Sequence, residues 1–316
     1  MNSVWRWAFA LLVLIGQVGQ SAQAQTGGRL LVARQVTAST WYVEGESALG
    51  SAANRNFISN AGFVITPEGV VVVDALGSPE LARELLREIA KITPRKVTHV
   101  VVTHYHADHV YGLQVFEEAG ATILAHRGAL EYIHSDTAMS RLKASREEFY
   151  PWVDENTRLT SASRWIDGPT ALTLGGVEIQ IRPVGPAHTP EDLVVYLPSE
   201  RVLFAGDLVF RGRVPFVGQA NSRQWIQSLD ALLGFDARVV IPGHGPLSTS
   251  AQADMRLTRD YLSYLRETMG RAASDMEPFD QAYTATDWSR FESLPLFRVA
   301  NRMNAYNTYL LMESEK

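Results

Sequence analysis

The chain has 316 residues, of which 46% are hydrophobic and 20% charged, with a formal net charge of -5. That length can bury a substantial core, and so mild a charge with no basic cluster argues against a nucleic-acid partner, because phosphate binding needs concentrated Lys and Arg. There is no cysteine, so disulfides and thiolate ligands are both excluded.

The first residues read as an export leader. Arg6 precedes an apolar stretch over residues 7–15, and small residues end in Ala22-Gln23-Ala24, a cleavage pattern. The apolar part is too short to span a bilayer. The expectation is a signal peptide over residues 1–24, a mature chain starting at Gln25 in the periplasm, and no stable membrane insertion after cleavage.

Residues 30–43 alternate between polar and apolar and end in Trp41-Tyr42-Val43, as a strand does. Residues 44–60 are rich in Gly, Ser, Ala and Asn and predict a mobile loop. Phe63-Val64-Ile65, a Pro67-Glu68-Gly69 turn and the run Val70-Val71-Val72-Val73 predict a hairpin whose second strand is fully buried. Asp74 closes that strand, either as a turn residue or as an oxygen that fixes a metal-binding imidazole. Ser78 and Pro79 suit the N-cap and first position of a helix, Leu81, Leu85, Ile89 and Ile92 recur at helical spacing, and Thr93-Pro94 stops it.

The next strand delivers the most informative stretch of the chain. Val100, Val101 and Val102 suit a strand buried on both faces, yet Thr103-His104-Tyr105-His106-Ala107-Asp108-His109 follows at once. In an extended segment His104 and His106 leave the same side and can share one ion. Asp108 and His109 fall where the chain turns into a helix and aim at a neighbouring point. The spacing therefore points to two ions close together. A solvent-exposed turn is a poor alternative, because the whole chain holds only 8 His.

Beyond this packet the pattern predicts a helix over 111–119, a strand over 122–125 and one or two helices over 130–149. Strands follow at 172–174, 177–184, 193–197 and 202–204, then a helix carrying Trp225, Leu229, Leu232 and Leu233, a strand at 239–241 and a helix over 254–269. Residues 301–312 look helical, with packing as their role. No low-complexity linker divides the chain, so residues 25–316 read as one α/β domain with a C-terminal helical extension.

H-Y-H-A-D-H over 104–109 matches the HxHxDH signature of the metallo-β-lactamase-fold hydrolases, and the chain resembles that family along nearly its whole mature length. The remaining pattern is present as G-P-A-H-T-P around His188, F-A-G-D-L around Asp207 and I-P-G-H-G around His244. Residues 185–210, with R-G-R-V-P-F-V-G after them, resemble periplasmic zinc metallohydrolases of sulfur-oxidation and quinoprotein-relay gene clusters. The resemblance implies a four-layer αβ/βα sandwich holding two Zn2+. In it His104, His106 and His188 bind the first ion, Asp108, His109 and His244 the second, and Asp207 bridges them.

The implied chemistry is attack by a metal-bridging hydroxide on a small-molecule substrate, with Asp108 orienting that water or taking its proton. The commonest metallo-β-lactamase subclass carries Cys at the bridging position, and Asp207 stands there instead. That departure favours ester, thioester or lactone hydrolysis over efficient β-lactam cleavage. Two further readings are a sulfur dioxygenase with a single iron and a metal-binding accessory protein of a periplasmic redox system; a protein partner is not specified by the residues. His99, His126 and His134 read as structural or surface residues. Tyr111 and Asn221 are candidate substrate contacts for which a structural role is the stronger reading.

Overall fold

The computed structural model describes residues 30–218 and 220–315. The expected signal peptide lies outside them. Two sheets form the centre. The first has seven strands in sequence order, β1 (Arg34–Gln35), β2 (Thr40–Val43), β3 (Ala61–Thr66), β4 (Gly69–Val73), β5 (Val97–Val101), β6 (Thr122–His126) and β7 (Arg164–Ile166). Pairing is antiparallel from β1 to β4 and parallel from β4 to β7. The second has five, in the order β12 (Val239–His244), β11 (Val202–Phe210), β10 (Leu193–Leu197), β9 (Val177–Pro183) and β8 (Thr170–Leu174), and only β11 and β12 run parallel.

The parallel strands need crossovers, and helices supply them. Between β4 and β5 runs α1 (Pro79–Ile92), whose Ser78 hydroxyl accepts from the Leu81 N–H at 3.3 Å and whose Leu81, Leu85 and Ile89 are buried. After β5 come α2 (Ala107–Val110) and α3 (Leu113–Glu118), and between β6 and β7 lie α4 (Ala129–Ile133) and α5 (Asp136–Glu148). On the other side, α6 (Ser222–Leu232) links β11 to β12, and α7 (Ala251–Ser274), α8 (Phe279–Ala285) and α9 (Phe297–Ser314) follow β12.

The buried side chains sort into three clusters that define the layers. Val64, Val71, Val101 and Leu124 of the first sheet meet Ile181, Val195, Phe204 and Ile241 of the second. The other face of the first sheet packs Val70, Val72 and Val100 on Leu81, Leu85 and Phe116. The other face of the second packs Val194, Leu203 and Val240 on Trp225, Leu229, Tyr261 and Leu265. This is the αβ/βα sandwich, with the C-terminal helices covering the outside of the second sheet.

Several expectations need correction. The helix placed over 111–119 begins earlier and is broken in two, with Asp108 and His109 inside α2. The break falls at Gly112, where a Cβ would lie 2.0 Å from the Ala75 carbonyl oxygen. The strand placed over 202–204 runs on to Phe210, so Asp207 lies within β11 and not at its end. The loop over 44–60 is anchored rather than loose: Asn54, Asn56 and Phe57 are buried, and the Asn60 amide donates to the carbonyls of Pro242 and Gly245 at 2.8 and 2.7 Å. The composition of that loop signalled turns, and its Asn side chains hold them closed.

Candidate metal centre

The two central sheets deliver their chemistry to one edge of the sandwich. His104 follows the buried β5, His106 caps α2 with extended backbone (φ -80°, ψ 151°), and Asp108 and His109 occupy the first turns of that helix. From the second sheet, His188 stands in the loop between β9 and β10, Asp207 in β11 and His244 at the end of β12. Gly243 is needed for this approach, because a Cβ there would lie 1.9 Å from Asp207 Oδ1. Gly245 has φ +90°, which favours glycine, and a Cβ there would meet the Arg211 carbonyl oxygen at 2.0 Å.

All seven side chains predicted as ligands converge. His104, His106, His188 and Asp207 form one group able to hold a cation, and Asp108, His109 and His244 form a second, with donor atoms in each within 4.8 Å of one another. His106 Nδ1 and His188 Nε2 are 3.0 Å apart. In the second group, His244 Nε2 is 3.2 Å and His109 Nε2 3.6 Å from Asp108 Oδ2. Asp207 touches both groups: Oδ2 lies 3.4 Å from His188, 3.8 Å from His104 and 3.3 Å from His244, while Oδ1 lies 3.2 Å from His109.

These separations allow a test of whether the donors suit a cation. Nitrogen and oxygen ligands about 2.0–2.1 Å from one tetrahedral ion sit roughly 3.3 Å from each other. The spacings at this centre are of that size. In addition, His104 Nε2, His109 Nε2 and Asp207 Oδ1 are buried without any hydrogen-bond partner. Leaving such atoms unpaired is costly, and they fall in both groups, His104 and Asp207 in the first and His109 in the second, so each group calls for a further partner. The donor set fits a divalent metal.

Neighbouring atoms fix the rings. Asp74 accepts from the Thr103 N–H and hydroxyl, each at 2.8 Å, and its Oδ2 lies 2.9 Å from His109 Nδ1. That contact makes Nδ1 the donor and leaves Nε2 free to face the centre. Asp74 therefore orients an imidazole. His244 Nδ1 donates to the Ile58 carbonyl at 2.8 Å, which fixes its tautomer in the same sense, and the ring stacks on Phe210 at 5.1 Å. Trp225 lies 5.1 Å from the His188 ring and is itself held by an indole N–H bond to the Leu208 carbonyl at 3.1 Å.

Electrostatics divides the centre. Burial holds the His104 ring well below the ordinary histidine range, with His109 adding to it, and burial pushes His188 down to about 3. Burial would also lower His109, but the Asp207, Asp108 and Asp74 carboxylates outweigh it and hold the ring well above its ordinary value. Burial would raise the Asp207 carboxyl, yet His244, His109 and His104 hold it well below the usual range. The neutral rings repel no cation, and the ionised carboxylates attract one.

The centre opens into a cavity of about 730 Å³ whose walls include Leu49, Ile58, Tyr105, Tyr132, Phe210 and Phe216. Sequence reasoning missed two of its polar groups. Arg213 is 2% exposed and stands over the Phe210 and Phe216 rings at 5.4 and 5.7 Å. Among the described residues it has no carboxylate within ion-pair distance. Its Nη1 lies 3.4 Å from His244 Nδ1, which already donates to Ile58 and so has no lone pair to offer. Glu191 is 5% exposed, and the Tyr105 N–H donates to it at 3.3 Å. No periodicity marks either residue, so only the folded chain shows that they face the cavity.

The other sequence candidates lie elsewhere. Tyr111 is buried with its hydroxyl 3.2 Å from Ser145 Oγ, and Asn221 caps α6 by accepting from the Gln224 N–H at 3.1 Å. His99 contacts Thr98, and His126 Nδ1 accepts from the Gly128 N–H at 3.2 Å. His134 is the exposed C-cap of α4. All five are structural or surface residues.

The family model of the metallo-beta-lactamase superfamily matches residues 54–244. A linear primary-alkylsulfatase from Pseudomonas sp. is 26% identical over 239 residues, covering 64% of this chain and 44% of its own length. The chain thus accounts for less than half of that relative. A type 2 metallo-beta-lactamase from Bacillus cereus is 30% identical over 202 residues, 62% of this chain and 71% of the relative. Among solved structures, a stereoselective inverting sec-alkylsulfatase from Pseudomonas sp. has the same fold, with a TM-score of 0.67 at 19% identity over 89% of this chain and 50% of that one. That share is more than residues 1–244 alone could supply, so the shared fold extends into the C-terminal helices. The matched span contains every one of the seven converging donors, and the chain belongs to the metallo-beta-lactamase superfamily.

Proposed function

We propose that this protein is a metal-dependent hydrolase holding two zinc ions: His104, His106 and His188 ligate one, Asp108, His109 and His244 the other, and Asp207 spans both. The observation that carries this reading is the convergence of seven donors at ligand-like spacing, four of their atoms buried without a partner. Five imidazoles and two carboxylates without thiolate suit zinc. The complete second group favours two ions over the single iron of a dioxygenase.

When bound, divalent ions lower the pKa of water towards about 7 and polarise a substrate oxygen, which supplies a nucleophile without a Ser or Cys. The residues of this chain do the rest. Asp74 and the Ile58 carbonyl hold His109 and His244 in the tautomer that faces the centre. Of the two carboxylates in the donor set, the Asp108 side chain is the more open to the cavity, 16% exposed where Asp207 is 5% exposed. Burial would raise its carboxyl, but His109 and His244 hold it below the usual range. Asp108 therefore stays ionised and orients a water by accepting its hydrogen bond, instead of storing a proton. Leu49, Ile58 and Phe216 keep the substrate side of the cavity apolar.

The bond cleaved, in this reading, is that of an ester, thioester, lactone or β-lactam-type substrate bearing a negative charge. Arg213 supports the charge: a buried guanidinium with no carboxylate partner beside the metal site is costly until an anion reaches it. An alkyl sulfate, the substrate named for the alkylsulfatase relative, combines such an anion with a chain that suits the apolar wall. Export to the periplasm is part of the proposal, supported by Arg6, the apolar stretch and Ala22-Gln23-Ala24. A place beside sulfur-oxidation or quinoprotein-relay enzymes is supported by the sequence over 185–218 alone.

A panel of matched anionic and neutral esters, with alkyl sulfates and a β-lactam included, tests the reading. The zinc-loaded protein should prefer the anionic members, and Arg213→Ala should raise KM for them by about 10-fold or more while leaving neutral members unchanged, as expected for loss of one charge-assisted contact. Equal losses on both sets would remove Arg213 from substrate recognition, and no turnover of any member by the zinc-loaded protein would contradict the hydrolase reading.

A further inference from the structure

Ten large hydrophobic residues are exposed among the described residues, and four of them, Val299, Met303, Tyr306 and Leu310, lie on α9. Their exposures are 53%, 42%, 45% and 44%. No other described helix carries more than one. The spacing of four, three and four residues puts them in one stripe along the helix. The opposite face is already used: Ala300, Asn301, Asn304, Ala305, Thr308 and Tyr309 are buried against the body of the protein. Of the outer stripe, Tyr306 packs its ring on Phe279 of α8, 5.0 Å between centroids, and still keeps 45% of its surface exposed.

Charge says what covers it. Arg298 is exposed near the N-terminal end of the stripe, and Glu313 is exposed three residues beyond Leu310, on the same line. Among the described residues neither makes an ion pair. A second α9 laid antiparallel across a two-fold axis between Met303 and Tyr306 places Val299 of each copy opposite Leu310 of the other, and Met303 opposite Tyr306. The same axis brings each Arg298 within a helical turn of the partner's Glu313. A parallel pairing would set like charges side by side. The stripe is thus complementary to itself in one orientation, as an isologous interface must be.

We propose that α9 is a self-association surface, and that two copies of this chain pair through antiparallel α9 helices. An 18-residue helix is about 27 Å long, so one helix per copy gives a contact at the small end of specific interfaces. The dimer should therefore be reversible, with a Kd on the order of micromolar.

Sedimentation velocity of the purified metal-loaded protein, from about 1 to 300 µM, reads the mass directly across that range. The wild type should pass from monomer to dimer. Met303→Glu with Leu310→Glu should raise Kd by at least about 10-fold with unchanged circular dichroism, since both positions are solvent-exposed in the single chain. Arg298→Glu alone should weaken the dimer, and adding Glu313→Arg should restore it, a rescue that a merely structural role would not give. A wild type that stays monomeric throughout overturns the proposal, as does a dimer that persists undiminished in Met303→Glu with Leu310→Glu.

Discussion

At the residue scale Asp207 is decisive, because its two carboxylate oxygens lie within 4 Å of imidazole nitrogens in both groups. Removing it differs in kind from removing a donor to one ion. In the proposed two-ion centre, Asp207→Ala would take away a negative charge shared by both cations, so they would repel more strongly and the second should leave; the expected product is a one-metal protein with residual turnover. His106→Ala should weaken only the first ion, by more than the about 10- to 100-fold that losing a supporting hydrogen bond costs. Metal titration of both variants, with hydrolysis followed in parallel, checks this, and an Asp207→Ala protein with two metals and full turnover would remove the bridge. The donors were legible in the sequence because His104 and His106 follow an apolar run that stops abruptly and His244 ends another; Asp207, inside β11, was legible only through its motif. Asp74 was only half legible, since a turn Asp and an imidazole-orienting Asp look alike until Thr103 and His109 are seen around it. Arg213 and Glu191 gave no signal because cavity-facing is a property of the fold, not of spacing.

At the scale of elements, the second sheet and α6 hold His188 through Trp225, which is fully buried between them. Trp225→Ala should cost about 3–5 kcal/mol of stability, the usual range for truncating a buried aromatic. Because the indole also contacts the His188 ring, the variant should bind its first metal more weakly even under conditions where it remains folded. Denaturant unfolding together with a chelator competition separates the two effects, and a stability loss with unchanged metal affinity would mean that the His188 loop holds itself. Strands and helices with apolar periodicity, such as β4 and α1, were legible. The split of α2 from α3 was not: Gly112 is forced by a carbonyl from Ala75, a contact 37 residues away in sequence that no local pattern encodes. The continuation of β11 to Phe210 was hidden in the same way, because its irregular pairing with β12 interrupts the expected alternation.

At the scale of the whole molecule, the metal-free centre is a charged network whose protons compete with cations. His109 is raised well above the histidine range by three carboxylates, and His244 is raised by Asp207 and Asp108 against the effect of burial. Both rings must be neutral to ligate. Metal binding near neutral pH should therefore release protons, and affinity should fall as pH drops and both rings become fully protonated. Calorimetry in two buffers of different ionisation enthalpy reads the protons released; identical heats in both would mean that these rings are already neutral.

The central claim, a hydrolytic centre of two cations, is tested most directly by adding zinc stepwise to chelator-stripped protein while hydrolysis of an anionic ester is measured. Turnover should be absent without metal and complete only as the second equivalent of zinc binds, with His244→Ala stopping at the first. Full turnover at one equivalent, unchanged in His244→Ala, or activity restored by iron and not by zinc, would contradict it.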